Sequence, residues 1–110
     1  MTAPLHITTG TTADGRNHLT ATGEIDLSNA ADFGSRLSSA VKPDDRLLVD
    51  LTRVDYLDSA GLAALFVHAD LIEIHIAPLN EYLLTVCGLT QLTDVRVIPP
   101  TSPEEPESRS

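Results

Sequence analysis

The sequence has little sulfur and little positive charge. Cys87 is the only cysteine, so no internal disulfide can form, and a lone thiol suits a reducing compartment. Lys and Arg total 7 against 16 Asp and Glu, which gives a formal net charge of -9. That balance repels phosphate backbones and anionic membranes. We therefore expect no direct nucleic-acid binding.

Long apolar segments are also missing. No run approaches the roughly 20 residues of a membrane span. The N-terminus, Met1-Thr-Ala-Pro4, lacks the basic and apolar regions of a signal peptide. These features predict a cytoplasmic protein with no membrane insertion.

The chain length of 110 residues is enough for one modest core, so we expect a single domain at 4–98. The tail, 99–110, is rich in Pro and Glu and cannot contribute to a core. We predict that this acidic tail is disordered.

Hydrophobic patterning within the domain predicts alternating strands and helices, an α/β architecture. Two short strands should form an antiparallel hairpin, and an apolar strand at 46–52 should be covered on both faces. Residues 71–76 alternate, with three isoleucines on one side and Glu73 and His75 on the other. The expected strands are 5–9, 18–22, 46–52, 71–76 and 95–98, and the expected helices are 29–41, one beginning near 59, and 80–87.

The segment Val54-Asp-Tyr-Leu-Asp-Ser-Ala-Gly61 places a hydroxyl, carboxylates and a glycine between a strand and a helix. Either Asp58 or Ser59 is a good N-cap for that helix. Free amides and the positive end of the helix dipole tolerate added negative charge there, including a phosphate.

Three segments together resemble the STAS-domain anti-sigma factor antagonists. Asp58-Ser-Ala-Gly-Leu62 is similar to the family signature Asp-Ser-(Ser/Thr/Ala)-Gly-Leu, and Gly23-Glu-Ile-Asp26 is similar to its Gly-Glu-(Leu/Ile)-Asp element. The stretch 78–89, closed by Gly88-Leu89, resembles the last helix of the family. The resemblance implies a STAS fold, a mixed sheet of four to five strands with helices packed mainly on one side.

The resemblance also implies a function. Antagonists of this family bind an anti-sigma factor when unphosphorylated and so release a sigma factor that activates transcription. The anti-sigma factor is typically a serine kinase that inactivates the antagonist, and a serine phosphatase reverses this. The matching position here is Ser59, which we expect to be the phosphorylation site in a monomer or weak dimer.

Partner-binding roles follow from the same resemblance. Asp58 should orient the loop and cap the helix, Gly61 should let a partner backbone approach, and Asp26 should lie near Ser59. The expected partner-binding residues are Gly23, Glu24, Asp26, Asp58, Ala60, Gly61 and Leu62.

One departure from the family pattern follows the Ser59 helix. The chain is shorter there by about eight residues, or two helical turns. The remaining helix is apolar on nearly every side, which predicts either unusual burial or an exposed apolar face. An alternative is that the helix continues over 60–70 and the strand at 71–76 is lost.

Other functions are also compatible with parts of this pattern. Ser59 could be only an N-cap, and the chain could be a stand-alone STAS scaffold or regulatory subunit of a transporter or sensor complex, not controlled by phosphorylation. An enzyme is not expected, because Leu57 stands where Gly-x-Ser-x-Gly requires its first glycine. The four histidines lack metal-ligand spacing, so we expect no catalytic residues, metal or cofactor.

Overall fold

The computed structural model describes residues 4–99, a five-stranded sheet with helices. The predicted disordered tail therefore lies outside the described residues, apart from Pro99. The regular elements are β1 (His6–Thr11), β2 (Asn17–Ile25), α1 (Ala30–Ala40), β3 (Leu47–Leu57), α2 (Ser59–Val67), β4 (Ile72–Ile76), α3 (Glu81–Val86) and β5 (Asp94–Val97). Single 3₁₀ turns occupy Ala69–Leu71, Pro78–Asn80 and Leu89–Gln91.

The sheet is mixed, with the strands in sequence order β1-β2-β3-β4-β5. β1 and β2 form the predicted antiparallel hairpin, whereas the pairs β2–β3, β3–β4 and β4–β5 are parallel. Parallel neighbours need crossover connections, which α1, α2 and α3 supply. The predicted α/β architecture with a mixed sheet is confirmed.

Alternation along the strands gives the sheet two different faces. The core face carries apolar side chains such as Val49 and Ile74, which are fully buried against Phe33 of α1 and Leu65 of α2. The opposite face, called the open face below, carries polar side chains such as Glu73 that are half-buried. The single hydrophobic core therefore lies between the sheet and the helices, as the period-2 pattern requires.

The helix α2 ends earlier than one sequence alternative required. It stops at Val67, and a 3₁₀ turn leads directly into β4 at Ile72–Ile76. The reading in which the helix continues over 60–70 and this strand disappears is therefore wrong. The three isoleucines of β4 are fully buried, and this burial favours the strand over a longer helix.

The apolar helix α2 is buried on one side and exposes an apolar face on another, so each of the two expectations for it holds on part of its surface. Leu62 and Leu65 are buried, while Ala63 is exposed and the Val67 side chain is 73% exposed. On a third side, the Ala64 Cβ would lie only 3.6 Å from a Cβ added at Gly34 of α1. A methyl group at position 34 would thus make only an ordinary contact with α2, and an apolar strip of α2 remains in solvent.

Candidate functional site

The residues of the predicted site meet at the carboxyl ends of β2 and β3. These parallel strands are neighbours, with Gly23 opposite Val54 and Ile25 opposite Leu57. The Asp58 amide donates to the Ile25 carbonyl over 3.1 Å, which joins the two chain segments directly. We call the surface formed by residues 23–26 and 58–62 the Ser59 edge.

Asp58, not Ser59, is the N-cap of α2. Its Oδ1 accepts hydrogen bonds from the amides of Ala60 at 3.0 Å and Gly61 at 3.4 Å. Ser59 is the first helical residue and is exposed. Within residues 4–99, its hydroxyl has no hydrogen-bond partner, so the helix does not depend on it for capping. The expected capping role of Asp58 is confirmed, and the alternative in which Ser59 serves as the N-cap is wrong.

Asp26 is held by its own loop. Its Oδ1 accepts from the Ser28 amide at 2.9 Å and the Ser28 hydroxyl at 2.5 Å, and these hydrogen bonds lower the pKa of the Asp26 carboxyl. Asn29 closes the loop by accepting from the Asp26 amide and donating to the Glu24 carbonyl, both at 2.9 Å. Asp26 is thus charged and fixed near the segment that carries Ser59. Among the described residues, it makes no hydrogen bond to the Ser59 hydroxyl.

Two glycines shape the Ser59 edge for different reasons. Gly23 has φ +102°, next to a register shift in the β2–β3 pairing, a conformation that favours glycine at a bulge. Gly61 is buried, and an added Cβ would lie 2.6 Å from Leu57 Cδ1 and 2.7 Å from Ile25 Cγ2. Gly61 therefore lets α2 approach the strands. The expectation that it leaves room for a partner backbone is corrected, because the space is already filled from inside.

The Ser59 edge and its surroundings are acidic, with exposed apolar side chains between the charges. Residues 23–29 and 54–62 contain four carboxylates and no Lys or Arg. Leu27 is 81% exposed and Tyr56 is 49% exposed, although aromatic residues usually lie inside. Leu62, at 7% exposure, lies beneath the surface and supports it. An acidic rim around apolar side chains is suited to a protein partner of opposite charge.

Among the described residues, no side chain is positioned to activate the Ser59 hydroxyl. The histidines at 18, 68 and 75 contact Thr20, Ser38 and Glu73 respectively, so within 4–99 no base is hydrogen-bonded to Ser59. Residues 4–99 contain no group of three metal-ligating side chains. None of the helices among them is long and apolar enough to cross a membrane.

A second polar cluster lies on the open face, centred on Glu73 of β4. Its carboxylate contacts Arg16 at 2.9 Å, His75 at 3.0 Å and Arg96 at 3.1 Å, and its side chain is 12% exposed. Burial raises the pKa of Glu73, but hydrogen bonds from His75 and Arg16 and the Arg16 charge lower it to about 2. The alternation along residues 71–76 predicted that Glu73 and His75 share one face. It did not identify the arginines, which lie 57 and 23 residues away.

These features describe a small α/β domain with an exposed serine at a helix start and an acidic rim. The family model described as "Mlab, STAS domain" matches residues 9–93, more than half of the chain. The protein belongs to the STAS family, as the sequence segments suggested.

Solved structures agree on the fold. An anti-sigma factor antagonist from Mycobacterium paratuberculosis is similar at 21% identity, with a TM-score of 0.72 over 87% of this chain and 90% of that one. A DUF3478-family protein with a SpoIIAA-like fold from Shewanella loihica PV-4 is 18% identical, with a TM-score of 0.59 over 87% and 86% of the two chains. No curated protein matches the sequence.

Proposed function

We propose that this protein is an anti-sigma factor antagonist whose partner binding is switched off by phosphorylation of Ser59. The supporting observation is that the Ser59 side chain is exposed at the first position of α2 while Asp58 performs the capping. A kinase could modify this hydroxyl without breaking a structural hydrogen bond. The proposed partner is an anti-sigma factor with serine kinase activity, and a serine phosphatase restores the active form.

The charge of the Ser59 edge explains how one phosphate would act as a switch. Phosphorylation adds about -1.5 to -2 charge at pH 7, next to the Asp58 carboxylate that already occupies the amides of Ala60 and Gly61. The added group therefore meets like charge and projects into the contact surface. A loss of about 2.8 kcal/mol of binding free energy would weaken the complex about a hundredfold.

The same surface defines what the partner should present. Glu24, Asp26 and Asp58 supply negative charge, and Leu27 supplies an apolar contact. We expect basic side chains around an apolar pocket on the anti-sigma factor. Gly23 and Ala60 shape the edge, whereas Gly61 and Leu62 act from below by holding α2 in position. The complex would form in the cytoplasm, with the antagonist a monomer or weak dimer.

The test is capture from lysate of the native host with four baits: wild type, Ser59→Ala, Ser59→Glu and Ser35→Glu. Ser35 is exposed on α1, so its variant controls for added charge elsewhere. The proposal expects a kinase-like anti-sigma factor on wild type, Ser59→Ala and Ser35→Glu, and its loss from Ser59→Glu. Retention on all four baits, or capture of no such protein, would refute the switch.

A second candidate function is favoured by the outer side of α2. Ala63 and Val67 leave apolar surface in solvent, which suits permanent contact with a larger assembly. A stand-alone STAS scaffold or regulatory subunit of a transporter or sensor complex would use that strip. Such a protein would co-purify with a membrane complex, and a change at Ser59 would have no effect. The Val67→Glu substitution would abolish this co-purification. The partner switch predicts instead that Ser59→Glu weakens partner binding more than Val67→Glu does.

A further inference from the structure

A cavity of about 320 Å³ lies at the opposite end of the sheet from Ser59. Its walls are the tip of the β1–β2 hairpin, the last turn of α1 and the first residue of β3, Leu47. Strand β3 has 11 residues and separates this cavity from the Ser59 edge by about 33 Å. The cavity is therefore independent of the proposed partner surface.

Positive charge is concentrated at this cavity. Residues 4–99 contain six Lys and Arg side chains, and three of them, Arg16, Arg46 and Arg96, form ion pairs. Of the three without an ion pair in that range, Arg36 and Lys42 line the cavity, and no carboxylate lines it. In a chain of net charge -9, two cations without an ion pair beside one cavity favour an anionic ligand, although the Asp45 carboxylate binds Asn17 at its edge.

The rest of the lining supplies neutral hydrogen-bonding groups. Thr9, Thr11 and Ser39 carry hydroxyls, which both donate and accept. Arg36 uses one nitrogen to donate to the Ile7 carbonyl over 3.3 Å, which fixes the guanidinium and leaves further N–H groups. The Asn17 amide nitrogen, by contrast, donates to Asp45 at 3.1 Å, so we assign it no ligand.

We propose that this cavity binds a phosphate monoester of a small polyol, such as a sugar phosphate. The phosphate would contact Arg36 and Lys42, since charge-assisted hydrogen bonds to phosphate are among the strongest available. The hydroxyls of the ligand would pair with those of Thr9, Thr11 and Ser39. The volume matches the lower end of small-molecule sites.

The same two cations have a simpler explanation that the test must separate. Lys42 follows the carboxyl end of α1, which terminates at Ala40, and Arg36 lies one turn before that end; cations near a helix C-terminus stabilise it without any ligand. Under that explanation, phosphate would be no better bound here than at Arg53, an exposed cation of β3 outside the cavity. Arg53 is therefore the matched control.

The experiment is an NMR titration of the ¹⁵N-labelled full chain with ribose 5-phosphate, and with neutral ribose as the ligand control. Saturable amide shifts are expected at residues 9–11, 17–18 and 39–42 with the phosphate only. The double variant Arg36→Gln/Lys42→Gln should bind at least about tenfold more weakly, and Arg53→Gln should stay within about twofold of wild type.

Amide shifts at 58–62 report whether each variant remains folded. If the double variant is misfolded, Lys42→Gln alone should still bind at least about threefold more weakly.

Three results would overturn the proposal. The first is the absence of saturable shifts in the wild type up to about 10 mM ligand. The second is an equal loss of affinity in Arg53→Gln, which would indicate general charge screening. The third is binding to phosphatidylglycerol vesicles with no response to ribose 5-phosphate, which would place the phosphate on a lipid headgroup.

Discussion

Adding one methyl group at Gly61 should test the close packing that positions Ser59. In Gly61→Ala, the new Cβ would meet Leu57 Cδ1 at 2.6 Å and Ile25 Cγ2 at 2.7 Å. Both side chains are buried and have little room to move. Overpacking of this kind costs about 1 to 3 kcal/mol, and the better helix propensity of alanine offsets at most about 1 kcal/mol. Because both contacts are this short, we expect a cost in the upper half of that range and a net destabilisation of about 1 to 2 kcal/mol. Each kcal/mol lowers the Tm by about 4 to 8 °C.

Gly34→Ala is the matched control, because it adds the same methyl group to the neighbouring helix. Its Cβ would lie 3.6 Å from the Ala64 Cβ, an ordinary contact, so alanine should be neutral or stabilising by up to about 1 kcal/mol. Thermal and urea unfolding of both variants measure the difference. The reasoning is refuted if Gly61→Ala is as stable as wild type, or if both substitutions change stability in the same direction.

Three further substitutions test the helix cap at Asp58, the buried hydrogen bond of Asn80 and the ion pairs of Glu73. Asp58→Ala removes the α2 cap and should cost about 1 kcal/mol in urea unfolding, whereas Asp58→Asn should cost much less; equal losses would contradict capping. Asn80→Ala removes the side-chain amide that donates to the Val54 carbonyl at 3.0 Å. It should lower the free energy of unfolding by about 1 to 3 kcal/mol, and a neutral result would show that water takes over this hydrogen bond. Because the pKa of Glu73 is lowered from 4.5 to about 2, its carboxylate contributes stability above about pH 4.5 that is lost as pH falls toward 2, about 1 to 3 kcal/mol. Unfolding of Glu73→Gln should therefore show a much smaller deficit against wild type at pH 2 than at pH 6, and an unchanged deficit at pH 2 would contradict the assignment.

Local sequence patterns were sufficient to predict the elements that are marked by side-chain alternation or by a helix cap. The alternation of residues 72–76 predicted a strand with one buried face, and the isoleucines there are fully buried. The start of α2 was predicted within one residue. The sequence could not choose between Asp58 and Ser59 as the cap, because both residue types are favourable at that position.

The features that could not be predicted from the sequence depend on contacts between residues far apart in the chain. Strands β2 and β3 extend to Ile25 and Leu57, beyond the predicted ends at 22 and 52, although Gly23 and Asp55 are poor strand formers. Pairing between the two strands outweighs these local preferences. Tyr56, whose aromatic ring would suit a core, lies in this strand extension and is 49% exposed. The contacts of Glu73 with Arg16 and Arg96 likewise exist only after the chain has folded.

Phosphorylation-site mapping tests the central claim most directly. The full chain would be recovered from its native host with serine phosphatases inhibited, and its phosphorylated residues would be identified by mass spectrometry beside a Ser59→Ala variant. The account predicts phosphate on Ser59 in the wild type and an unmodified chain in the variant. Phosphate on another hydroxyl in both chains, or no phosphate on Ser59 under any growth condition, would contradict it.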